Sequence, residues 1–149
     1  MNVFIGADHG GFLAKTLLVR SLRADGHVVT DVGAPSGEPT DYPDHAALVA
    51  RAVAKGKAER GVLICGTGIG MSIAANKVKG VRAAVAWNEK TAALAAEHNG
   101  ANVLCLGGRF LSAPRITRLV RIWLRTSFAG GRHLRRLNKI SALEKGGAR

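Results

Sequence analysis

The sequence lacks the features that several classes of protein need. It has only two cysteines, Cys65 and Cys105, which lie in separate strand-like runs and form no metal-type pair. The longest early apolar run, Val3 to Ile5, is too short for a signal peptide or a membrane span. We find no internal repeat and no low-complexity linker. We therefore expect reduced thiols in a cytoplasmic protein with no membrane contact and no metal site.

The composition and the pattern of apolar residues predict one α/β domain, residues 1–149, with a Rossmann-like doubly wound sheet. Apolar residues make up 47% of the chain and aromatic residues 5%, which suits a compact α/β core. Apolar runs predict five strands, at residues 2–7, 28–32, 62–64, 82–87 and 102–106. Helices are predicted at residues 12–24, 44–57 (capped by Asp44), 71–77, 88–97, 114–127 and 132–144, before a frayed tail at 145–149. This alternation predicts a five-stranded parallel sheet in a three-layer α/β/α arrangement.

The stretch from residue 62 to residue 77 joins an apolar run to a glycine loop and a helix. Cys65 stands at the carboxyl end of the run, where open α/β sheets bind their ligands. Loop amides at a helix start bind anions and favour a thiolate. The dinucleotide fingerprint would need glycine where Met71 stands, and the phosphate loop of nucleotide hydrolases does not fit either. Two interpretations stay open: a reactive base beside an oxyanion-stabilising loop, or a plain glycine turn with a small buried cysteine.

A base beside loop amides suits proton abstraction next to a carbonyl, because the amides stabilise the enediolate oxygen. His98 could exchange protons with a sugar ring oxygen, or simply cap a helix. Asp8 and His9 follow the first strand, and Asp8 could instead cap the next helix. His98 and Asn99 precede the fifth strand. They can reach the cleft only from a turn at the opposite edge or from a neighbouring subunit.

The net charge of +12 is concentrated in the last quarter of the chain. Residues 109–149 hold eleven of the 22 basic side chains and one of the ten acidic ones. Arginines at helical spacing form a stripe that we interpret as a solvated face: Arg115, Arg118, Arg121 and Arg125. The competing hypothesis is a basic nucleic-acid-binding module, although the single tyrosine offers little base stacking.

Other charged and polar residues are assigned from their positions alone. Arg132 and Arg136, one helical turn apart, could clamp a phosphate dianion, and Arg135 with Lys139 makes an equally good pair. We assign Cys105 to the core, and His27 and His45 to surface or structure.

Together these motifs resemble the ribose-5-phosphate isomerase B family, which also includes galactose-6-phosphate and allose-6-phosphate isomerases. The matching segments cover nearly the whole chain in order: residues 6–11, 41–43, 64–70, 73–77, 98–99, 102–104, 108–109 and 131–133. The resemblance implies an aldose–ketose isomerase that acts through an enediolate without metal or cofactor. It also implies a homodimer or tetramer whose sites are shared between subunits and whose C-terminal helix packs on the partner.

Carried over residue by residue, the resemblance assigns catalysis to Cys65, Thr67 and His98. Cys65 moves a proton between C1 and C2 of the sugar, with Thr67 beside it, and His98 opens the furanose ring. Four residues are assigned to the phosphate: His9, Arg109, Arg132 and Arg136. Three are assigned to the sugar hydroxyls, Asp8, Tyr42 and Asn99, and the anion hole is assigned to the loop amides, including those of Gly66, Gly68, Ile69 and Gly70.

Two positions depart from the family pattern or define a subtype. Gly100 follows the His98–Asn99 pair, where an acidic or amide residue is usual. Residues 70–72 offer no glutamate, which some members use as the base, so the cysteine subtype applies. Pentose and hexose phosphates differ by one carbon, so the motifs leave the choice among ribose 5-phosphate, allose 6-phosphate and galactose 6-phosphate open.

Overall fold

A computed structural model describes residues 1–146, in which five strands alternate with helices. The strands are β1 (Asn2–Ala7), β2 (Val28–Asp31), β3 (Arg60–Cys65), β4 (Ala83–Val85) and β5 (Val103–Gly107). The helices are α1 (Phe12–Ala24), α2 (Tyr42–Ala54), α3 (Ile69–Ala75), α4 (Glu89–Glu97), α5 (Ala113–Arg125) and α6 (Arg132–Leu143). A short 3-10 turn, His9–Gly11, leads into α1.

The sheet confirms the predicted doubly wound topology. Its strand order is β2-β1-β3-β5-β4, and every neighbouring pair is parallel. The direction of winding reverses between β1 and β3, and a crevice forms at such a point beyond the carboxyl ends of the strands. Backbone hydrogen bonds join the segments that follow these strands. Asp8 N donates to Ile64 O (3.3 Å), and Gly108 N donates to Cys65 O (2.7 Å). The residues that follow β1, β3 and β5 therefore lie side by side.

Helices cover both faces of the sheet and so make the predicted three layers. On one face, α1, α4 and α5 bury residues such as Leu18, Ala92 and Trp123 against β1, β3 and β5. On the other face, α2 and α3 bury residues such as Val49 and Met71. Each large apolar side chain that is fully buried contributes about 1.5–3 kcal/mol, so these two cores hold the carboxyl edge in place.

Several predicted boundaries were wrong by a few residues. Asp44 does not cap α2. The helix already begins at Tyr42 with Asp41 at its N-cap position, because Pro43 suits the first turn of a helix. It ends at Ala54 rather than near residue 57. Helix α3 starts two residues before the predicted Met71, and β4 is limited to three residues at the sheet edge.

Helix α6 starts at Arg132 as predicted and ends at Leu143, one residue early. Only His133 among its twelve residues is buried, whereas the apolar side chains of Leu134, Ile140 and Leu143 are exposed. Residues 147–149 of the predicted frayed tail lie outside the described part of the chain. Within residues 1–146, every helix is too short or too polar to cross a bilayer.

Candidate active site

Cys65 lies at the last position of β3, where the sheet meets the glycine loop. Its side chain is buried, and its Sγ accepts a hydrogen bond from Gly68 N at 3.1 Å. Gly68 has φ of 81°, a left-handed conformation that glycine adopts without a steric cost. The turn at Gly68 thus folds the loop back over the thiol. A backbone N–H thus faces the sulfur to which the family resemblance assigns the role of the base.

The other loop amides divide into two groups. Ile69 N donates to the Thr67 hydroxyl at 3.2 Å, so that amide is already engaged, like that of Gly68. None of residues 1–146 accepts a hydrogen bond from the amides of Gly66, Thr67 or Gly70. Of the amides in the predicted anion hole from Gly66 to Gly70, two thus have an acceptor inside the loop and three have none among residues 1–146.

Tyr42 comes to the same loop from the first turn of α2. Its ring lies so close to Gly70 that a Cβ added there would meet Tyr42 Cζ at 2.7 Å and Oη at 3.0 Å. Only glycine at position 70 allows this approach. The early start of α2 is what brings Tyr42 to this position, and its side chain is partly exposed to the crevice.

Asp8, His9 and Arg109 complete this side of the crevice. Asp8 is buried and its Oδ1 accepts from Gly11 N at 3.2 Å, so it does cap the turn before α1. His9 next to it is exposed. Arg109 N donates to Gly66 O at 3.1 Å, and the guanidinium lies over Gly66. Asp8 after β1 and Arg109 after β5 thus lie on either side of the Cys65 loop, with the His9 imidazole next to Asp8 in the chain.

His98 lies elsewhere, at the end of α4 and before β5. Its ring stacks on the His133 ring, with centroids 4.2 Å apart and planes inclined by 14°. Asn99 lines a separate cavity of about 220 Å³ with Arg82 and Ile140. Arg132 and Arg136 flank His133 on α6. The structure therefore gathers the predicted site residues into two groups at opposite edges of the sheet.

The two groups of site residues lie at opposite ends of β5, so the length of this strand sets the distance between them. Cys65 pairs with Gly107 at the carboxyl end of β5, whereas His98 precedes Val103 at its amino end. Four residue steps along a strand span roughly 13 Å. One chain alone thus does not place His98 beside Cys65.

His133 provides a prediction about pH. Burial lowers the pKa of its imidazole, and the nearby His98, Arg132 and Arg136 lower it further, against a smaller opposite effect of Glu97. The folded protein then binds fewer protons than the unfolded chain near pH 6, so stability is lost as pH falls below the usual histidine pKa of about 6.5. We expect His133→Phe, which keeps a flat ring, to show a smaller fall in Tm between pH 7.5 and 5.5 than the wild-type protein. His27→Phe is the control, and an unchanged pH dependence in His133→Phe would contradict this account.

Two further predictions are confirmed: Cys105 lies in the core, and the arginine stripe lies on the surface. The Cys105 thiol is fully buried, and burial followed by the charge of nearby Cys65 raises its pKa far above the usual range. The arginine stripe lies on the protein surface, and three of its members, Arg115, Arg118 and Arg121, pair with acidic neighbours. Arg121 donates to both carboxylate oxygens of Asp25, at 2.6 and 2.9 Å, and this bond lowers the pKa of Asp25. Arg115 and Arg118 lie 3.4 and 3.5 Å from the Glu89 carboxylate.

Sequence reasoning assigned no role to two residues near these groups, Thr40 and His133. Thr40 N donates to His9 Nδ1 at 3.3 Å, and both ring nitrogens of His45 make hydrogen bonds. His45 was assigned to surface or structure, and its half-buried ring with two bonds is structural. His45 is connected to His9 through Thr40, which lies in the loop between β2 and α2. The rings of His98 and His133 stack although the two residues are far apart in the sequence, so no local pattern predicts this contact.

The fold and these side chains define an α/β enzyme in which a thiol faces backbone amides at the carboxyl edge of a parallel sheet. Comparison with known proteins gives the particular family. Residues 3–140 match the sequence model of the ribose/galactose isomerase family, and the chain belongs to this family.

Relatives in this family resemble the chain over nearly its full length. Ribose-5-phosphate isomerase B of Escherichia coli is 44% identical over 144 residues, covering 97% of each chain. The structure of the corresponding enzyme from Clostridium thermocellum superposes with a TM-score of 0.96 at 46% identity, covering 98% of this chain and 99% of that one. The Mycoplasma genitalium enzyme with bound ribulose 5-phosphate has a TM-score of 0.95 at 46% identity, with 98% and 97% covered.

Proposed function

We propose that the protein interconverts ribose 5-phosphate and ribulose 5-phosphate by proton transfer at Cys65. The observation that carries this proposal is the Cys65 thiol, held by Gly68 N at 3.1 Å at the mouth of a loop with free amides. A base and an oxyanion hole side by side are the two elements that an enediolate mechanism needs. The bound ribulose 5-phosphate in the Mycoplasma genitalium relative supports the choice of substrate.

The reaction follows from this arrangement. The Cys65 thiolate removes the C2 proton of the open-chain aldose, and the electron pair moves into an enediolate between C1 and C2. The same thiol then returns a proton to C1, while a proton moves from the C2 oxygen to the C1 oxygen. Free amides of Gly66, Thr67 and Gly70 donate to the enediolate oxygen, where charge develops. The Thr67 hydroxyl accepts from Ile69 N, so its own proton is free to donate to the substrate.

His98 serves as the acid–base group that opens the furanose ring before the proton transfer. Asp8, Tyr42 and Asn99 orient the hydroxyl groups, and His9 with Arg109 binds the phosphate from one side of the crevice. A side chain that accepts hydrogen bonds, such as Asp8, suits sugar hydroxyls, whereas a guanidinium suits a phosphate dianion. Arg132 and Arg136 close on the phosphate from the other side.

We propose that His98, Asn99, Arg132 and Arg136 reach the Cys65 crevice from a second copy of the chain. Two features support a homodimer or tetramer with shared sites. First, the two groups of site residues lie at edges of the sheet that are roughly 13 Å apart along β5. Second, α6 exposes its apolar side chains, which a partner would cover.

An apolar surface beside the crevice also supports an assembly. A cavity of about 470 Å³ next to Thr67 is lined by Ile69, Trp87 and Phe110 among others. These three side chains are 56%, 60% and 78% exposed, although each is large and apolar. A surface of this kind is typical of a protein–protein contact. We propose that the partner subunit covers it and so brings its own site residues close.

We expect isomerase activity to survive exhaustive chelation. The loop amides supply the charge stabilisation that a Lewis acid supplies in metal-dependent isomerisation, and Cys65 supplies the base. The measurement is turnover after dialysis against a chelator, with and without added divalent metals. Loss of activity that one divalent metal restores would contradict the metal-free mechanism.

The proposed mechanism needs a reduced thiol, which fits a cytoplasmic enzyme. Both cysteines are free in the structure, and Cys65 cannot act as a base while it is part of a disulfide.

A direct assay separates ribose 5-phosphate from the alternative hexose phosphates. One purified sample is assayed with ribose 5-phosphate, allose 6-phosphate and galactose 6-phosphate, and kcat/KM is compared. We expect the highest value with ribose 5-phosphate. A higher value with either hexose phosphate would replace this substrate assignment, and binding of nucleic acid with steep salt dependence but no turnover of any sugar would favour the nucleic-acid hypothesis.

A further inference from the structure

The loop between β2 and α2, residues 32–41, is held at both ends by one histidine. His45 Nδ1 lies 3.0 Å from the carbonyl oxygen of Val32, and His45 Nε2 lies 3.1 Å from the Thr40 hydroxyl. A carbonyl oxygen can only accept, so Nδ1 carries the proton and donates. In the neutral ring Nε2 then accepts from the Thr40 hydroxyl. His45 on α2 thereby ties the start of the loop to its end.

A second anchor holds the first half of the loop only. The buried Lys15 ammonium donates to Ala34 O at 2.7 Å and contacts the Asp31 carboxylate at 2.9 Å. The far half of the loop depends on Thr40, whose hydroxyl contacts His45. His45 is half-buried, so these bonds are partly protected from competing water.

Thr40 in turn contacts His9. The Thr40 backbone N–H donates to His9 Nδ1 at 3.3 Å. An amide N–H has no acceptor capacity, so His9 Nδ1 must be the unprotonated nitrogen of the neutral ring. The proton then lies on His9 Nε2, which leaves that nitrogen as a donor. A donor nitrogen is what a phosphate oxygen requires.

We propose that Thr40 and His45 are positioning residues that fix the tautomer and orientation of His9 for phosphate binding. We call the three hydrogen-bonded residues His45, Thr40 and His9 the His9 clasp. This inference rests on the proposed function, because it takes His9 as a ligand of the substrate phosphate. Neither Thr40 nor His45 contacts the reacting carbons. Their effect is expected on binding of the phosphate rather than on the proton transfer at Cys65.

Two substitutions test the clasp, each with a matched control. Thr40→Val removes the hydroxyl and keeps the shape, and His45→Phe removes both ring bonds. We expect each to raise KM for ribose 5-phosphate roughly three- to tenfold, with kcat unchanged within about twofold, because each removes the hydrogen bond between Thr40 and His45. Thr30→Val, on the exposed edge strand, and His27→Phe, at the opposite edge of the sheet, should leave both parameters unchanged. His45→Gln, whose amide can still bond Thr40, should lie between wild type and His45→Phe.

A spectroscopic measurement keeps the test independent of turnover. Nitrogen-15 spectra of the His9 ring should show the Nε2-protonated tautomer in the wild-type protein and a mixture of tautomers in Thr40→Val and His45→Phe. Titration with inorganic phosphate should shift the His9 signals, with a dissociation constant roughly three- to tenfold higher in both variants. If His45→Phe does not fold, the measurements on Thr40→Val alone test the clasp.

The outcomes separate this inference from the proposed function. An unchanged His9 tautomer and an unchanged phosphate affinity in folded Thr40→Val would overturn the clasp, whatever the activity. A wild-type His9 ring that does not respond to phosphate would also overturn it. If the clasp readouts behave as expected but no sugar phosphate turns over, the clasp stands as a phosphate-binding device and the isomerase assignment fails.

Discussion

Cys65→Ala is expected to lower kcat for ribose 5-phosphate by at least about 100-fold, the usual contribution of a general base. The proposed phosphate ligands are other side chains, so KM and the affinity for inorganic phosphate should change little. A loss in kcat with binding retained is the signature of a group that acts in the transition state. Steady-state kinetics with purified enzyme of verified fold measures both parameters.

Cys105→Ala is the matched control, because it removes the same side chain from the neighbouring strand. Cys105 is fully buried in the core that also contains Cys65, and its raised pKa keeps the thiol protonated. We expect unchanged kcat and a loss of stability of about 1 kcal/mol from the small cavity. Turnover that stops in Cys105→Ala and continues in Cys65→Ala would show that the wrong thiol had been chosen.

Mixing two inactive variants should restore activity if each site is shared between subunits. Cys65→Ala removes the proposed base, and Arg136→Ala removes a proposed phosphate ligand from α6. In a hybrid dimer, one site carries both substitutions and the other site carries neither. Each hybrid should therefore have about half of the wild-type activity, if the two sites are independent.

Co-expression with two different affinity tags isolates the hybrid for assay. Each variant alone, purified in the same way, provides the baseline. If Cys65 and Arg136 served the same site from one chain, every site of the hybrid would carry one substitution. Verified hybrids without recovered turnover would thus reject the shared site.

The sequence predicted the fold well because its strands are apolar runs that pack into two cores. Residues such as Ile5, Ile64 and Leu106 have zero exposure, and their runs are bounded by turn residues. The errors lie at the ends of elements, such as the start of α2. Asp44 is a good cap by type, yet Pro43 one residue earlier is compatible with the first turn and moves the start to Tyr42.

The candidate site was predicted in part, for a physical reason. Asp8, Cys65 and Arg109 each follow a strand, and the carboxyl ends of parallel strands lie at one edge, so topology alone brings them together. His45 reaches Thr40 through the path of a long loop, which no periodicity describes. The stacking of His98 on His133 depends on where α6 returns along its own chain, whereas the resemblance implied only that α6 packs on a partner subunit.

The most direct test of proton transfer at Cys65 is the reaction with ribose 5-phosphate in deuterium oxide, followed by proton NMR. An enediolate formed by a thiol base exchanges its proton with solvent over repeated turnovers. The account predicts ribulose 5-phosphate with deuterium at C1, formed by the wild-type enzyme and by Cys105→Ala, and no product or exchange with Cys65→Ala. Isomerisation that retains all carbon-bound hydrogen through many turnovers would indicate an internal hydride shift and contradict the account.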